Sequence, residues 1–213
     1  MKIILDHIMP VPLASIEHKS DSIWGNNIVL HHGEKILLNA SSGKGKSTFT
    51  LTTLGLRSDY SGKIFFDDRN IQTFSPDEWA AIRREKIAVV FQDLQLFPNL
   101  TVGENLLLKN NLYPIFSEGE IRKMLDKLKI GDKWEQQCCL LSMGQQQRVA
   151  IIRALCQPFE ILILDEPFSH LDIENTQHAL ALINERCDEQ QAGFVLTTLG
   201  DKYQFKFDKE LKL

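Results

Sequence analysis

The hydrophobic residues of the chain fall in short continuous runs, and these runs alternate with stretches of helical character. Continuous apolar runs of this length are typical of strands that are buried on both faces of a parallel sheet. The pattern predicts strands at residues 35–40, 64–67, 87–91, 161–164 and 193–197. Strands that alternate with helices indicate an α/β fold with a mostly parallel core sheet.

Capping residues mark where several helices begin. Residues 75–78 combine an N-cap serine, a proline and two acidic residues, which is typical of a helix N-terminus. Residues 101–104 and 117–120 each fit a capping box. Both lie within residues 93–141, which we therefore predict to be a mostly helical insertion in the α/β fold. The last residues, 203–213, predict short strands that close one edge of the sheet.

Length and charge restrict the classes of function that the chain can have. A chain of 213 residues is long enough for one compact domain, and its formal net charge of −4 lacks the basic excess of a dedicated nucleic-acid binder. Its apolar runs are all shorter than half a membrane span, and the apolar stretch at the N-terminus is too short for a signal peptide. We therefore expect no nucleic-acid partner and no direct membrane span.

The cysteines give no indication of a metal site. Cys138, Cys139, Cys156 and Cys187 match none of the spacings that bind metal ions. We predict free, partly buried thiols in a reducing compartment.

A glycine-rich segment between a predicted strand and a predicted helix has the sequence of a phosphate-binding loop. It spans residues 40–48, with alanine in place of the usual first glycine. Gly43 and Gly45 let successive backbone N–H groups converge on phosphate oxygens, and the helix N-terminus adds positive partial charge. Lys46 is expected to reach the β- and γ-phosphates, and the Ser47 hydroxyl to bind Mg²⁺. The residues predicted to contact the nucleotide here are Ser42, Gly43, Lys44, Gly45, Lys46, Ser47 and Thr48.

Two carboxylates directly follow the apolar run at residues 161–164. Ligands of open parallel sheets bind at the carboxyl ends of the strands, so Asp165 and Glu166 are expected beside the phosphate-binding loop. Asp165 fits a role in the Mg²⁺ site. Glu166 fits a general base, or a carboxylate that polarises water opposite the γ-phosphate. Taken alone, the segment also fits an ordinary strand and turn; the phosphate-binding loop favours the functional interpretation.

Residues 141–148, Leu-Ser-Met-Gly-Gln-Gln-Gln-Arg, resemble the signature sequence of the ATP-binding cassette (ABC) ATPases. Ser142 is placed to cap the following helix, whose N-terminus can present a hydroxyl and backbone N–H groups to a phosphate. In that family the signature of one subunit completes the ATP site of the other. The resemblance therefore implies a homodimer through the ATP sites, with Ser142, Gly144 and Gln145 as nucleotide contacts.

The resemblance extends over nearly the whole chain. Residues 90–98 are similar to the glutamine loop of the family, which implies that Gln92 touches Mg²⁺ or water. Residues 169–172 are similar to the D-loop, which crosses between subunits and ends at Asp172. The implied Mg²⁺ site therefore consists of Ser47, Gln92 and Asp165.

The same resemblance implies a partner and a domain organisation. Integral membrane permease subunits are expected to dock near residues 92–97, although Leu94 can equally be a core residue of the helical insertion. The family organisation implies a single domain, 1–213, made of a RecA-like core with an N-terminal antiparallel β portion at 1–92 and 142–213 and a helical signature subdomain at 93–141.

Some positions depart from the family pattern. Met143 occupies the first glycine position of the signature, and Thr198 stands where the family usually has a switch histidine. A threonine hydroxyl can hydrogen-bond a γ-phosphate but carries no positive charge. Residues 10–23, where family members often stack adenine on an aromatic side chain, contain no aromatic residue. Trp24 is expected inside a strand, and His18 is expected in a solvated loop.

The sequence thus predicts an ATPase that uses ATP and Mg²⁺, with Glu166, Gln92 and Thr198 as catalytic residues. Residues 96–102 resemble the branch that holds lipoprotein-release, macrolide-exporter and cell-division ATPases, which implies lipoprotein release or related export. The implied location is cytoplasmic, peripheral on the inner face of the cell membrane. A slowly hydrolysing, ATP-gated switch is the alternative, favoured by the missing histidine. A chromosome-maintenance ATPase would need a coiled coil for which the chain has no room, and a small-molecule kinase would not explain residues 141–148.

Overall fold

The computed structural model describes residues 1–41, 43–200 and 203–213. The strands are β1 Ile3–Pro10, β2 Asn27–Leu30, β3 Lys35–Asn39, β4 Tyr60–Phe66, β5 Arg69–Asn70, β6 Ile87–Val90, β7 Ile161–Asp165, β8 Gly193–Thr198 and β9 Lys209–Lys212. They form a parallel sheet of order β6-β7-β8-β3-β9 and a separate antiparallel sheet of order β2-β1-β4-β5. The helices are α1 Lys46–Thr53, α2 Pro76–Glu85, α3 Val102–Asn110, α4 Glu118–Lys127, α5 Met143–Leu155 and α6 Ile173–Gln190.

The parallel sheet contains four of the five strands that the apolar runs predicted, and the fifth, at 64–67, lies in the antiparallel sheet as part of β4. Every residue of β7 and of β8 is buried, as expected for central strands covered on both faces. Their register pairs Asp165 with Thr197, so the carboxyl ends of the two strands lie side by side. This pairing places polar residues from distant parts of the sequence at one edge of the sheet.

Two strand predictions needed correction. β4 begins at Tyr60, earlier than predicted, because its antiparallel pairing with β1 extends through polar residues that carry no apolar pattern. At Gly62, which has φ +84°, a Cβ would lie 2.4 Å from the carbonyl oxygen of His7, so only glycine fits there. Between residues 203 and 213 the only strand is β9, which pairs in parallel with β3. Phe205 and Phe207 instead pack their rings against Phe194.

Helix starts follow the capping predictions closely. Ser75, Thr101 and Ser117 each accept a hydrogen bond from a backbone N–H three residues later, and the glutamate there bonds back to the cap. The insertion contains α3 and α4, and its apolar residues share one continuous core with α5 and the parallel sheet. Leu94 belongs to that core and is only 5% exposed, so it is a core residue of the helical insertion and not an exposed docking residue.

The prediction of free, partly buried thiols is confirmed. Cys138, Cys156 and Cys187 are buried and Cys139 is exposed, and all of them are free thiols. No helix in the described part of the chain is both long enough and apolar enough to cross a membrane.

Candidate nucleotide-binding site

The glycine-rich loop curls from the end of β3 into the N-terminus of α1. Gly43 and Gly45 have φ angles of +75° and +101°, in the left-handed region that glycine adopts without strain. Lys46 is buried, and its Nζ lies 3.4 Å from the carbonyl oxygen of Ala40 and 3.3 Å from that of Ser41. The lysine ammonium is therefore held inside the curl of the loop, where a phosphate would bind. Ser42 lies outside the described residues.

Trp24 packs against this loop and donates a hydrogen bond to it. The residue lies in a turn before β2, which corrects the expectation that it lies inside a strand. Its side chain is 3% exposed, and its Nε1–H donates to the carbonyl oxygen of Lys44 at 3.1 Å. A Cβ on Gly45 would lie 2.5 Å from Leu13 and 3.2 Å from the indole ring, so the loop rests directly on these apolar groups. His18 lies in the loop that precedes this turn and donates from Nε2 to the Leu13 carbonyl at 2.9 Å.

Three oxygen-bearing side chains meet next to the loop. The Ser47 hydroxyl donates to Gln92 Oε1 at 3.1 Å, and the carboxylate of Asp165 lies beside the same hydroxyl. Burial raises the pKa of Asp165, while the neighbouring hydroxyls of Ser47 and Thr197 act in the opposite direction. Hydroxyl, amide and carboxylate oxygens are hard donors of the kind that bind Mg²⁺ together with substrate phosphates. The donor set therefore fits the predicted Mg²⁺ site.

Glu166 lies at the same edge of the sheet. Its Oε1 is 3.3 Å from Lys46 Nζ, and both side chains are mostly shielded from solvent. Its backbone φ is +49°, an unusual value for a residue other than glycine. The backbone N–H of Glu166 donates to Thr197 Oγ1 at 3.1 Å, and that hydroxyl donates to Asp165 Oδ1 at 2.9 Å. No local sequence pattern marks Thr197, whose hydroxyl lies between the two predicted carboxylate residues of the site.

Thr198 ends β8 beside Glu166 and is 1% exposed. Its hydroxyl accepts a hydrogen bond from the Tyr203 hydroxyl at 3.3 Å, and the Tyr203 ring packs edge-on against Phe168. Thr198, Tyr203 and Glu166 line a cavity of about 530 Å³. A hydroxyl pair thus occupies the region next to the predicted catalytic carboxylate.

The signature segment begins α5 as predicted. Ser142 and Gln145 form a capping box, and Met143 is 48% exposed. Asp172 caps α6 by accepting from the backbone N–H of Asn175, which lowers the pKa of Asp172. No hydrogen bond or ion pair between described residues joins Ser142, Gly144, Gln145 or Asp172 to the loop at 40–48. Within one chain, these residues are therefore separate from the phosphate-binding loop.

Buried Gln147 connects the two separate segments. Its side-chain amide donates to Ser169 Oγ at 2.7 Å and accepts from the backbone N–H of His170 at 2.9 Å. A Cβ on Gly144 would lie 2.8 Å from the carbonyl oxygen of His170. The signature helix and the segment at 169–172 therefore form one packed surface.

Comparison with known proteins decides the family. Residues 25–169, more than half of the chain, match the family model described as ABC transporter. The chain belongs to the ABC transporter ATP-binding family. The thiamine import ATP-binding protein ThiQ of Haemophilus influenzae is 37% identical over 175 residues, which are 81% of this chain and 79% of ThiQ. The lipoprotein-releasing system ATP-binding protein LolD of Shewanella frigidimarina is 28% identical over 197 residues, which are 89% of this chain and 80% of LolD.

Solved structures agree with this assignment. The dimeric structure of the bacterial ABC transporter cassette MJ0796 has a TM-score of 0.79 and 27% identity, covering 92% of this chain and 88% of that one. A dimeric post-hydrolysis state of MJ0796 bound to ADP and Pi has a TM-score of 0.75 and 29% identity, covering 93% of this chain and 88% of that one. The predicted P-loop α/β fold and the prediction of an ATPase are confirmed. The role of each site residue stays a prediction.

Proposed function

We propose that the chain is the energy-converting subunit of a membrane transport complex, in which two copies close head to tail on Mg²⁺–ATP and reopen after hydrolysis. The observation that carries this proposal is the convergence of Lys46, Ser47, Gln92, Asp165 and Glu166 at the carboxyl edge of the parallel sheet. Phosphoryl transfer needs little covalent chemistry from a protein, so charge placement and positioning at this edge supply much of what catalysis needs.

Each side chain has a distinct task in this proposal. Ser47, Gln92 and Asp165 would hold Mg²⁺, which neutralises negative charge on the phosphates when it is bound. Lys46 donates to the β- and γ-phosphate oxygens. When the phosphates of ATP bind the Lys46 ammonium, they replace the Glu166 carboxylate as its partner, and the ion pair between Lys46 and Glu166 is lost. Glu166 is then available to orient and deprotonate the attacking water.

A second copy is required to complete the site. Ser142, Gly144, Gln145 and Asp172 lie away from the loop of their own chain, so we propose that they contact nucleotide held by the partner. Exposed apolar side chains next to these residues support this closure: Met143 and Ile173, the latter 78% exposed. Burial of such side chains favours association.

A groove lined by Phe91, the residue before Gln92, is proposed as the docking site for a membrane permease subunit. The groove has a volume of about 440 Å³, and its exposed apolar residues include Phe97, Leu108 and Leu112. Lys109 and Arg153 also line it, and burial lowers the pKa of both side chains. No Asp or Glu is among its described lining residues. These features favour a partner helix with an apolar face and a carboxylate, which would hold the chain at the inner face of the membrane.

The docking proposal is tested with Phe97→Asp. A buried carboxylate at this position opposes contact with an apolar helix, so the variant is expected to lose co-purification with the membrane subunit while keeping the ATPase rate of the isolated chain. Lys123→Asp is the matched control, because it adds a carboxylate at an exposed position of α4. Retained co-purification of Phe97→Asp would place the docking site elsewhere.

The finer function that we propose is lipoprotein release or a related export process. The similarity to LolD over 89% of this chain supports it, and the similarity to ThiQ makes thiamine import the comparison to test. Reconstituted with its membrane partner, the complex is expected to hydrolyse ATP faster with a lipoprotein substrate and not with thiamine. If thiamine stimulates ATP hydrolysis and a lipoprotein does not, thiamine import replaces lipoprotein release as the proposed function. A slowly hydrolysing switch is a second candidate, favoured by the uncharged Thr198 beside Glu166.

We also propose that residues 1–92 and 142–213 form the catalytic core and that residues 93–141 form the helical signature subdomain. Helices α3 and α4 within the latter range support this division.

A further inference from the structure

The hydroxyl group of Thr197 stands between the two carboxylate residues of the site. It donates to Asp165 Oδ1 at 2.9 Å and accepts from the backbone N–H of Glu166 at 3.1 Å. From this geometry we infer that Thr197 is a positioning residue, which fixes the proposed magnesium ligand and the proposed base relative to each other. The inference rests on the proposed function, because it assigns Thr197 a task in the same hydrolytic site.

The direction of both hydrogen bonds follows from the chemistry of the groups. A backbone N–H can only donate, so Thr197 Oγ1 must accept from Glu166. A hydroxyl has a single proton, which is then directed to the carboxylate oxygen of Asp165. Both bonds require an oxygen at this position of β8, and Thr197 is fully buried, so water does not replace it.

The bond to Asp165 fixes how that carboxylate is turned. The register of β7 and β8 places Asp165 directly beside Thr197. With Oδ1 held from this side, the carboxylate keeps its orientation toward the Ser47 hydroxyl beside it. Removing the hydroxyl would leave a buried carboxylate oxygen without that donor and free the group to turn.

The bond to Glu166 fixes the backbone of the proposed base. Residues other than glycine rarely adopt a φ of +49°, and such backbone persists only where neighbouring groups hold it. The N–H of Glu166 is held by Thr197, and the side chain that this backbone directs lies 3.3 Å from Lys46. A shift at this residue would move the carboxylate away from the phosphate end of the site.

Other buried threonines show that burial alone does not require such bonds. The hydroxyls of Thr52 and Thr53, at the far end of α1, have no hydrogen-bond partner among the described residues. Thr53→Val is therefore a matched control, because it makes the same isosteric change at an equally buried site with no hydrogen bond to lose.

The test compares Thr197→Val, Thr197→Ser and Thr53→Val with the parent. For Thr197→Val we expect kcat to fall roughly 10- to 100-fold, as for a misplaced catalytic group, with the affinity for ATP measured without Mg²⁺ unchanged. Thr197→Ser keeps the hydroxyl and is expected to recover most of the rate. An independent readout is amide hydrogen exchange at Glu166, which should accelerate in Thr197→Val and stay slow in Thr197→Ser.

The outcomes separate this inference from the proposed function. A Thr197→Val protein with the parental kcat overturns the inference while leaving an active ATPase in place. Equal losses in Thr197→Val and Thr197→Ser, or an equal loss in Thr53→Val, overturn it as well, since packing and not the hydroxyl would then matter. A parent that neither binds nor hydrolyses ATP contradicts the proposed function itself.

Discussion

Two kinds of oxygen atom lie close to the Lys46 ammonium: the carbonyl oxygens of its own loop and the carboxylate oxygen of Glu166. A buried ammonium is stable only where such oxygens surround it, and phosphate oxygens can take their place without leaving the charge unpaired. The ion pair with Glu166 therefore links nucleotide binding to the state of the proposed base. This link makes Lys46 the residue whose loss should affect binding most.

Lys46→Ala is expected to abolish ATP-dependent dimerisation and to weaken ATP binding, because it removes a charge-assisted contact in a site that excludes water. Equilibrium nucleotide binding and size-exclusion chromatography measure both effects. Lys63→Ala, at an exposed position of β4, serves as the control. If Lys46→Ala keeps both parental ATP affinity and dimerisation, the role of Lys46 is refuted.

Thr198→His is expected to raise turnover more than it changes ATP affinity. An imidazole adds a longer donor that can carry positive charge in the transition state, and the cavity of about 530 Å³ next to Thr198 gives it room. The measurement is kcat for the parent, Thr198→His, Thr198→Ala and His170→Ala. If Thr198→Ala matches the parent and His170→Ala is inactive, the alignment of the switch position is wrong.

At the scale of elements, the residues that the sequence predicted correctly are those whose signals are local. A cap and its partner lie three residues apart, and the loop at 40–48 needs only the strand before it and the helix after it. Thr197 and Trp24 were missed or misplaced because their partners are 31 and 20 residues away along the chain. Their roles come from strand pairing and from packing under the loop, which no local pattern encodes.

Asn105, in the helical insertion, also has a role that comes from its hydrogen-bond partners and not from a local sequence pattern. It is fully buried, accepts from the backbone N–H of Phe97 and donates to the carbonyl oxygens of Phe97 and Thr101. Asn105→Ala is expected to lower the free energy of unfolding by about 1–3 kcal/mol, because buried backbone groups lose their partners. Urea unfolding measures this, with exposed Asn111→Ala as the control. An unchanged midpoint for Asn105→Ala would show that the loop does not depend on this side chain.

At the scale of the whole molecule, the cysteines report how completely the core excludes solvent. Burial raises the pKa of Cys138 to about 11 and the pKa values of Cys156 and Cys187 to about 12, so these thiols stay protonated near neutral pH. The thiolate is the reactive form, so a thiol reagent is expected to modify Cys139 in the native protein. The other three should react only after unfolding. Rapid native modification of more than one thiol, counted by mass spectrometry, would contradict the described core.

The loop at 40–48 and the surface around Ser142 lie apart in one chain, and both belong to the proposed nucleotide site. The proposed function therefore requires a second copy, and closure of the dimer on ATP is its most direct consequence. Glu166→Gln removes the proposed base and is expected to slow hydrolysis at least roughly 100-fold while leaving ATP binding intact. The closed dimer should then accumulate.

The most direct measurement is the molar mass of Glu166→Gln in solution by light scattering, with and without Mg²⁺–ATP. We expect a monomer of 24.4 kDa without nucleotide and twice that mass with Mg²⁺–ATP. Adding Ser142→Arg, which places a bulky side chain at the signature, is expected to leave the protein monomeric with ATP still bound. A Glu166→Gln protein that binds ATP and keeps the mass of a monomer would contradict closure of the dimer on ATP.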